Sequence, residues 1–350
     1  MLCPSCHAEN DEEAEACFTC GKALHVLVQG SVLAGRYLIV SALGRGGMGR
    51  VYKAFDRVLE EHVAIKVLRS EFAREPDMAR RFLSEIKLAR KVTHPNVCRI
   101  HEYAEEGGLR WISMELIEGV SLKEYLRQRP LDRAEAFEVA LQAARGLQGV
   151  HEHGIIHRDF KTNNVMVDAR GRVRLLDFGI ARVAGADTST FSAAGHITGT
   201  PETMSPEQVL GARQDFRTDI YALGCLVFEV FSGQAVFQGE TPLVTLFKHL
   251  NEAPPLDAPW AVLPPAVVPV LRVALAKEPS DRFETVAEFV SALEAARTAE
   301  GLEAAVRLPK PLVDPGREGE ARAAPPARAP NPDTQTIVRP AIDSHTRPGW

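Results

Sequence analysis

Three groups of residues could carry chemistry. The first is Gly44-Arg45-Gly46-Gly47-Met48-Gly49-Arg50-Val51, which fits the spacing G-x-G-x-x-G-x-V. Glycines let a backbone approach an oxyanion and turn its N–H groups toward it. A dinucleotide-binding loop would need a helix straight after the third glycine. Val51-Tyr52-Lys53-Ala54-Phe55 instead reads as a strand, which disfavours that loop and leaves a glycine-rich hairpin, either covering a phosphate or without a ligand. The second group is Val63-Ala64-Ile65-Lys66 with Glu85. Lys66 would place a positive charge beside the phosphates. Glu85 lies between Phe82 and Ala89 at helical spacings of three and four, on an inward stripe where a carboxylate needs a cation. The third group is His157-Arg158-Asp159-Phe160-Lys161-Thr162-Asn163-Asn164 followed by Asp177-Phe178-Gly179. Two carboxylates and an amide in loops after apolar strands suit a general base and the oxygen ligands of Mg²⁺.

A separate constellation opens the chain. Cys3, Cys6, Cys17 and Cys20 follow the pattern C-x₂-C-x₁₀-C-x₂-C. Two such knuckles present four thiolates, a set that suits tetrahedral Zn²⁺ and leaves no open position for catalysis. Two disulfides or an iron site are the alternatives, and a reducing compartment disfavours the first. So short a segment would draw most of its stability from the metal. Cys98 and Cys225 sit in apolar stretches and read as core residues.

The elements that must position these groups follow from the hydrophobic pattern. Strands are expected at 37–40, 51–55, 62–68 and 111–116, and helices at 77–92, 122–128, 133–153, 218–232, 242–250, 265–276 and 285–295. A small β-rich lobe followed by a larger helical lobe is an α+β arrangement, with a cleft between the two. Composition divides the 350 residues into a cysteine knuckle at 1–24, a linker at 25–36, a patterned body at 37–297 and a Pro/Ala/Arg-rich tail at 298–350. The tail carries too little apolar material to offset its ordering entropy and is expected to be disordered.

The chain carries 41 Lys and Arg against 46 Asp and Glu, a net charge of −5. Such a balance argues against nucleic acid as a partner, and the knuckle itself is acidic. Neither a signal peptide nor an apolar run of membrane-spanning length is evident. The expectation is a soluble, cytoplasmic protein without a membrane partner.

Taken together and in this order, the motifs are specific. The segment from Tyr37 to Leu293 resembles a protein kinase catalytic domain, most closely the eukaryotic-like serine/threonine kinases of bacteria. The cysteine segment resembles the short zinc ribbons of bacterial proteins. The kinase resemblance implies a bilobal fold and transfer of the γ-phosphate of ATP, with Mg²⁺ or Mn²⁺, to Ser or Thr of protein substrates. It implies that Leu43 and the loop Gly44, Arg45, Gly46, Gly47, Met48 and Gly49 cover the nucleotide. Val51 and Ala64 would pack on adenine, Met114 would be the gatekeeper, and the backbone of Glu115 and Ile117 would meet the adenine edge. Lys66 would bind phosphate and pair with Glu85. Asp159 would be the base, Lys161 would stabilise the transferring group, and Asn164 and Asp177 would hold the metal. Thr200 would bond Asp159 and Lys161, Glu207 would pair with Arg282, and Asp219 would brace the catalytic loop. Thr162 and Thr203 depart from the family's usual proline and aromatic residue.

Regulation is expected in the same terms. Thr188, Ser189, Thr190, Ser192 and Thr198 lie between Asp177 and Glu207, and Arg158 is a cation that a phosphate there could satisfy. Autophosphorylation at Thr190 or Ser192, in a transient homodimer, is the expectation. Thr334-Gln335-Thr336-Ile337-Val338 resembles a phosphothreonine ligand of forkhead-associated domains. The rival reading is a pseudokinase scaffold that recruits partners through ribbon and tail; retention of Lys66, Glu85, Asp159, Asn164 and Asp177 argues for the enzyme.

Overall fold

The computed structural model describes residues 6–10, 17–21, 27–46, 49–68, 76–106, 109–176, 200–302 and 306–312. Among the described residues, nine strands fall in two antiparallel sheets. The larger runs β1-β2-β3-β4-β6-β5, formed by β1 (Val32–Leu33), β2 (Tyr37–Gly46), β3 (Gly49–Asp56), β4 (Glu61–Leu68), β5 (Ile100–Glu106) and β6 (Leu109–Glu115). The smaller runs β7-β8-β9, formed by β7 (Gly119–Ser121), β8 (Val165–Asp168) and β9 (Val173–Leu175). Helix α1 (Pro76–Ala89) joins the larger sheet. Seven more follow: α2 (Leu122–Gln128), α3 (Arg133–His151), α4 (Pro206–Val209), α5 (Phe216–Ser232), α6 (Pro242–Asn251), α7 (Val267–Ala274) and α8 (Val286–Ala299). This is the expected small β-rich part followed by a helical part.

Alternation along β4 positions the first site residue. Val63, Ile65 and Val67 face a small core with Tyr37, Ile39, Tyr52 and Trp111. Ala64 and Leu68 face the main core, which spans both parts of the molecule. Lys66 lies between those two, so the period of two turns it the same way. Only 3% of its surface is exposed. The strand is buried on both faces, which is why it reads as a nearly continuous apolar run.

In the helical part, α5 is buried around most of its circumference and carries Asp219 and Glu229. An N-cap at Asp215 starts it, and Gly233 in the left-handed region ends it. α3 opens on a capping box between Asp132 and Glu135. α1 ends at Ala89, three residues before the expected limit, and Val92 is held instead by a turn to the Ala89 carbonyl.

Two boundaries differ from expectation. The 25–36 stretch, expected as a linker, already pairs with the sheet: Val32 and Leu33 face Leu38 and Tyr37 across β1 and β2, and Leu33 is buried. At the other end, packing continues past 297. α8 runs to Ala299, and Leu308 enters the main core with 2% of its surface exposed. One buried leucine and a few backbone bonds suffice to hold this stretch, and neither leaves a periodic signal. The expected phosphorylation loop (Thr188, Ser189, Thr190, Ser192 and Thr198) and the tail motif at Thr334 and Thr336 lie outside the described residues. No helix among the described residues is long and apolar enough to cross a membrane.

Candidate active site

The loop between α3 and β8 is built from the backbone upward. Asp219, wholly buried on α5, accepts the amides of His157 at 2.6 Å and Arg158 at 2.7 Å, and bonds His151 Nε2 at 2.8 Å. Burial alone would raise the Asp219 carboxyl; the bond from His151 and these neighbours hold it below the usual range. Phe160 is anchored in the core, with its ring edge-on to His157. Burial keeps His157 below the ordinary histidine range, so it stays neutral.

On this frame the polar groups converge. Lys161 Nζ lies 2.8 Å from Asp159 Oδ1 and also bonds Thr200 Oγ1. Thr200 Oγ1 lies 3.3 Å from the same carboxylate oxygen. Asn164 Nδ2 donates to the Asp159 carbonyl at 2.8 Å and to Oδ2 at 2.9 Å. With its amide nitrogen committed, Asn164 keeps Oδ1 as an oxygen donor, which fits a hard divalent cation. The Asn164 carbonyl accepts Leu176 N at 2.8 Å. Asp177 itself, with Gly47, Met48, Cys3 and the side chain of Arg45, lies outside the described residues.

Ala64 faces Met114 across β4 and β6, and Val51 faces Lys66 across β3 and β4. Ile117 packs on the main core, whereas Leu43 is 43% exposed. Gly49 has a firm steric reason: a Cβ there would come within 1.8 Å of the Val67 carbonyl, at φ +150°. Gly44 has open space around it. Glu85, expected beside Lys66, has its carboxylate 3.8 Å from Arg158 Nη1. That contact corrects the expectation that Arg158 is an uncompensated cation: α1 presents Glu85 to the catalytic loop.

Beyond the loop, Arg282 forks onto both Glu207 oxygens at 2.8 Å, and Thr218 Oγ1 donates to one of them. Thr162 donates to Glu229 Oε2 at 3.1 Å, which gives that departure from the usual proline a function in the fold. A cavity of about 560 Å³ opens beside these groups, with Lys123, Arg127, Lys161, Thr200, Glu202 and Glu229 on its walls. Three residues here escaped the sequence reading. Gln208 donates to the Arg158 carbonyl at 2.9 Å, Arg174 bonds Glu115, and Glu229 lines the cavity. Glu229 and Arg174 did leave a signal, a charge inside an otherwise apolar run.

Residues 37–292 match the model of the protein kinase domain. The chain belongs to the protein kinase family. It is 35% identical over 275 residues to serine/threonine-protein kinase PrkC of Bacillus subtilis, covering 78% of this chain and 42% of that one. It is 36% identical to PknB of Mycolicibacterium smegmatis, covering 90% and 51%, and 41% identical to pkn2 of Myxococcus xanthus, covering 77% and 33%. The chain thus spans about half or less of the length of these relatives. Among solved structures, the PknI kinase domain of Mycobacterium tuberculosis superposes with a TM-score of 0.62 at 28% identity, covering 77% of this chain and 100% of that one. All three curated relatives are named serine/threonine-protein kinases.

Proposed function

We propose that this kinase transfers the γ-phosphate of ATP to serine or threonine hydroxyls of proteins. The observation that carries the reading is the triangle of Asp159, Lys161 and Thr200, closed by Asn164. Asp159 accepts the proton of the acceptor hydroxyl while that oxygen bonds the γ-phosphorus, and ADP leaves with the electrons of the broken P–O bond. Lys161 neutralises charge on the transferring group, and its bond to Thr200 keeps it aimed there. Asn164 and Asp177 would hold Mg²⁺, which neutralises phosphate charge when bound. The catalytic contribution of the chain is mainly positioning. Lys66 and the glycine loop would hold the phosphates, and the cavity beside α2 would take the polypeptide around the acceptor.

The test is phosphate transfer from labelled ATP with Mg²⁺ to the chain itself and to a generic basic protein. Wild type should label both, and Asp159→Asn should lose the label. Nucleotide binding without transfer by wild type, after treatment with an activating kinase, would overturn the reading.

The amino-terminal cysteines support a structural zinc site. The Sγ atoms of Cys6, Cys17 and Cys20 lie within 4.8 Å of one another, and Cys3 would complete four thiolates. Burial pushes the Cys17 thiol up, but the amides of Cys20 and Thr19 and bonds from Cys6 and Asn10 bring it down to about 6, toward the thiolate a metal needs. One zinc per chain, lost in Cys17→Ser, is expected from metal analysis; an equal zinc content in that variant would remove the site. The division into ribbon (1–24), kinase body and tail rests on the same cysteines and on the packing described above. Activation-loop autophosphorylation in a transient homodimer is supported by Arg158, whose present partner Glu85 could exchange for a phosphate. The Thr334–Thr336 stretch supports a forkhead-associated domain as partner. Phosphopeptide mapping after incubation with ATP tests both, and absence of phosphate from either segment ends the corresponding proposal.

A further inference from the structure

Arg174 is a buried cation on β9 whose position invites explanation. The strand is Val173-Arg174-Leu175, and its other two side chains are wholly buried. A guanidinium in such a place needs partners on every side it presents. One end of it has them: Nη2 bonds the carboxylate of Glu115 and donates to the Val97 carbonyl at 3.2 Å, whereas Nε is buried without a hydrogen-bond partner among the described residues. Fifty-nine positions separate the paired charges in sequence. Glu115 ends β6, where the chain leaves the larger sheet for the helical part.

The same short segment, residues 96–98, is bonded to both partners. Leu175 N donates to the Asn96 carbonyl and Cys98 N donates to the Leu175 carbonyl, each at 2.8 Å. On the other side, Glu115 N donates to the Arg99 carbonyl at 2.9 Å, Arg99 N reaches Glu115 Oε2 at 3.3 Å, and the Cys98 thiol lies 3.5 Å from the Glu115 carbonyl. Beyond Leu175, Leu176 N is bonded to Asn164. One continuous network therefore runs from the backbone at Glu115, through Arg174 and residues 96–98, to the end of β9 beside Asn164.

We propose that Arg174 is a positioning residue. Its bond to Glu115 fixes the backbone that reads the adenine edge and ties it to the strand that delivers the metal ligands. The proposal rests on the kinase reading for the place of adenine, and on this network for everything else. The bond from Glu115 N to the Arg99 carbonyl and the side-chain bond to Arg174 together restrain the backbone at Glu115, and with it the carbonyl. A carbonyl held in this way favours the 6-amino group of adenine over the 6-oxo group of guanine, because two acceptors would face each other with guanine. Arginine suits the task better than lysine. Its Nη2 serves both Val97 and Glu115, and the guanidinium stays charged when buried.

The experiment is calorimetric binding of ATP and GTP to the full chain, for wild type, Arg174→Gln, Arg174→Lys, Glu115→Gln and the double Arg174→Gln/Glu115→Gln. Each Gln variant should bind ATP about tenfold more weakly, the loss of one charge-assisted bond. The ATP-to-GTP affinity ratio should narrow by a similar factor. The double variant should be no worse than the weaker single one, because both remove the same bond. Arg174→Lys should recover part of the loss. A general loosening of the fold would lower the melting temperature without narrowing the nucleotide ratio. Variants that melt like wild type yet keep its ATP affinity and its ATP-to-GTP ratio would overturn the proposal. Should Arg174→Gln fail to fold, Glu115→Gln decides, since its side chain is 36% exposed. Binding does not require transfer, so a wild type that binds ATP but transfers no phosphate would remove the kinase reading and leave this test intact.

Discussion

Asp219 accepts the backbone amide of Arg158 at 2.7 Å, and Arg158 holds a φ of +64°. A side-chain-bearing residue in the left-handed region carries a strain of about 1–2 kcal/mol. Here the strain sits one residue before Asp159. Gln208 takes the Arg158 carbonyl from the opposite side. The sharp turn that aims Asp159 is thus held by a carboxylate on α5 and an amide on α4, not by the loop itself.

Asp219→Asn tests that dependence. An amide cannot accept two backbone N–H bonds and a histidine bond with the same strength. The expected result is a fall in kcat of about a hundredfold from misplacement of Asp159, with the ATP KM changed far less. Steady-state kinetics with a protein substrate measure both. Equal loss in kcat and in ATP affinity would point to general unfolding instead.

The two glycines of the loop should behave differently. Gly49→Ala places a methyl within 1.8 Å of a backbone carbonyl on β4, so the β3–β4 pairing must shift at Val67, next to Lys66. The expected outcome is a lower melting temperature together with lost ATP binding. Gly44→Ala meets open space, and its melting temperature should stay within a degree or two of wild type, about the reach of a ±0.5 kcal/mol surface change. Thermal unfolding of the two variants side by side separates the cases.

This contrast shows what a sequence can and cannot reveal. The strand that carries Lys66 was legible because Val63 to Leu68 is a short, nearly continuous apolar run, buried on both faces. The convergence of Asp159, Lys161 and Asn164 was legible because all three lie within one short loop. The steric demand at Gly49 was not, since the obstructing carbonyl belongs to a neighbouring strand. The contact between Glu85 and Arg158 was likewise hidden, because it depends on how α1 sits over the catalytic loop. Leu33 and Leu308 were assigned to flexible stretches for a related reason. Each is a single buried side chain in a segment held mostly by backbone bonds, and such a segment has no period to detect.

The pair of Glu207 and Arg282 predicts a pH response. The Arg282 guanidinium is fully buried and the Glu207 carboxylate nearly so. Burial would raise the Glu207 carboxyl, but the fork from Arg282 holds it below the ordinary range. A depressed carboxyl contributes stability above its unfolded pKa of about 4.3 and loses it as pH falls through the folded value. Arg282→Met leaves the carboxylate uncompensated and should cost about 3–5 kcal/mol at neutral pH. Because protonation relieves the lone carboxylate, the gap between variant and wild type should shrink from about pH 6 to about pH 3. Urea unfolding across that range measures it; a gap independent of pH would assign the loss to packing.

The segment 306–312 gives the last prediction. Tyr125 Oη donates to the Pro309 carbonyl at 2.9 Å. Gln128 exchanges two bonds with the backbone of Leu312, at 2.8 and 3.0 Å. Gly171, at φ +75°, packs so closely on Leu308 that a Cβ would come within 2.2 Å of its carbonyl. All of these contacts fall on α2 or on the turn between β8 and β9. The opposite side of α2 carries Lys123, Leu126 and Arg127 into the 560 Å³ cavity beside Lys161. If the segment were only a tether, Leu308→Ala would leave stability unchanged. If it is part of the folded body, the change should cost about 2–5 kcal/mol, as for other buried leucines. Gln128→Ala should cost about 1 kcal/mol through its lost bonds. Both variants should also raise the KM for the protein substrate more than that for ATP. The cavity wall they loosen belongs to the side proposed for the polypeptide, whereas Lys66 and Glu115 are held by the larger sheet.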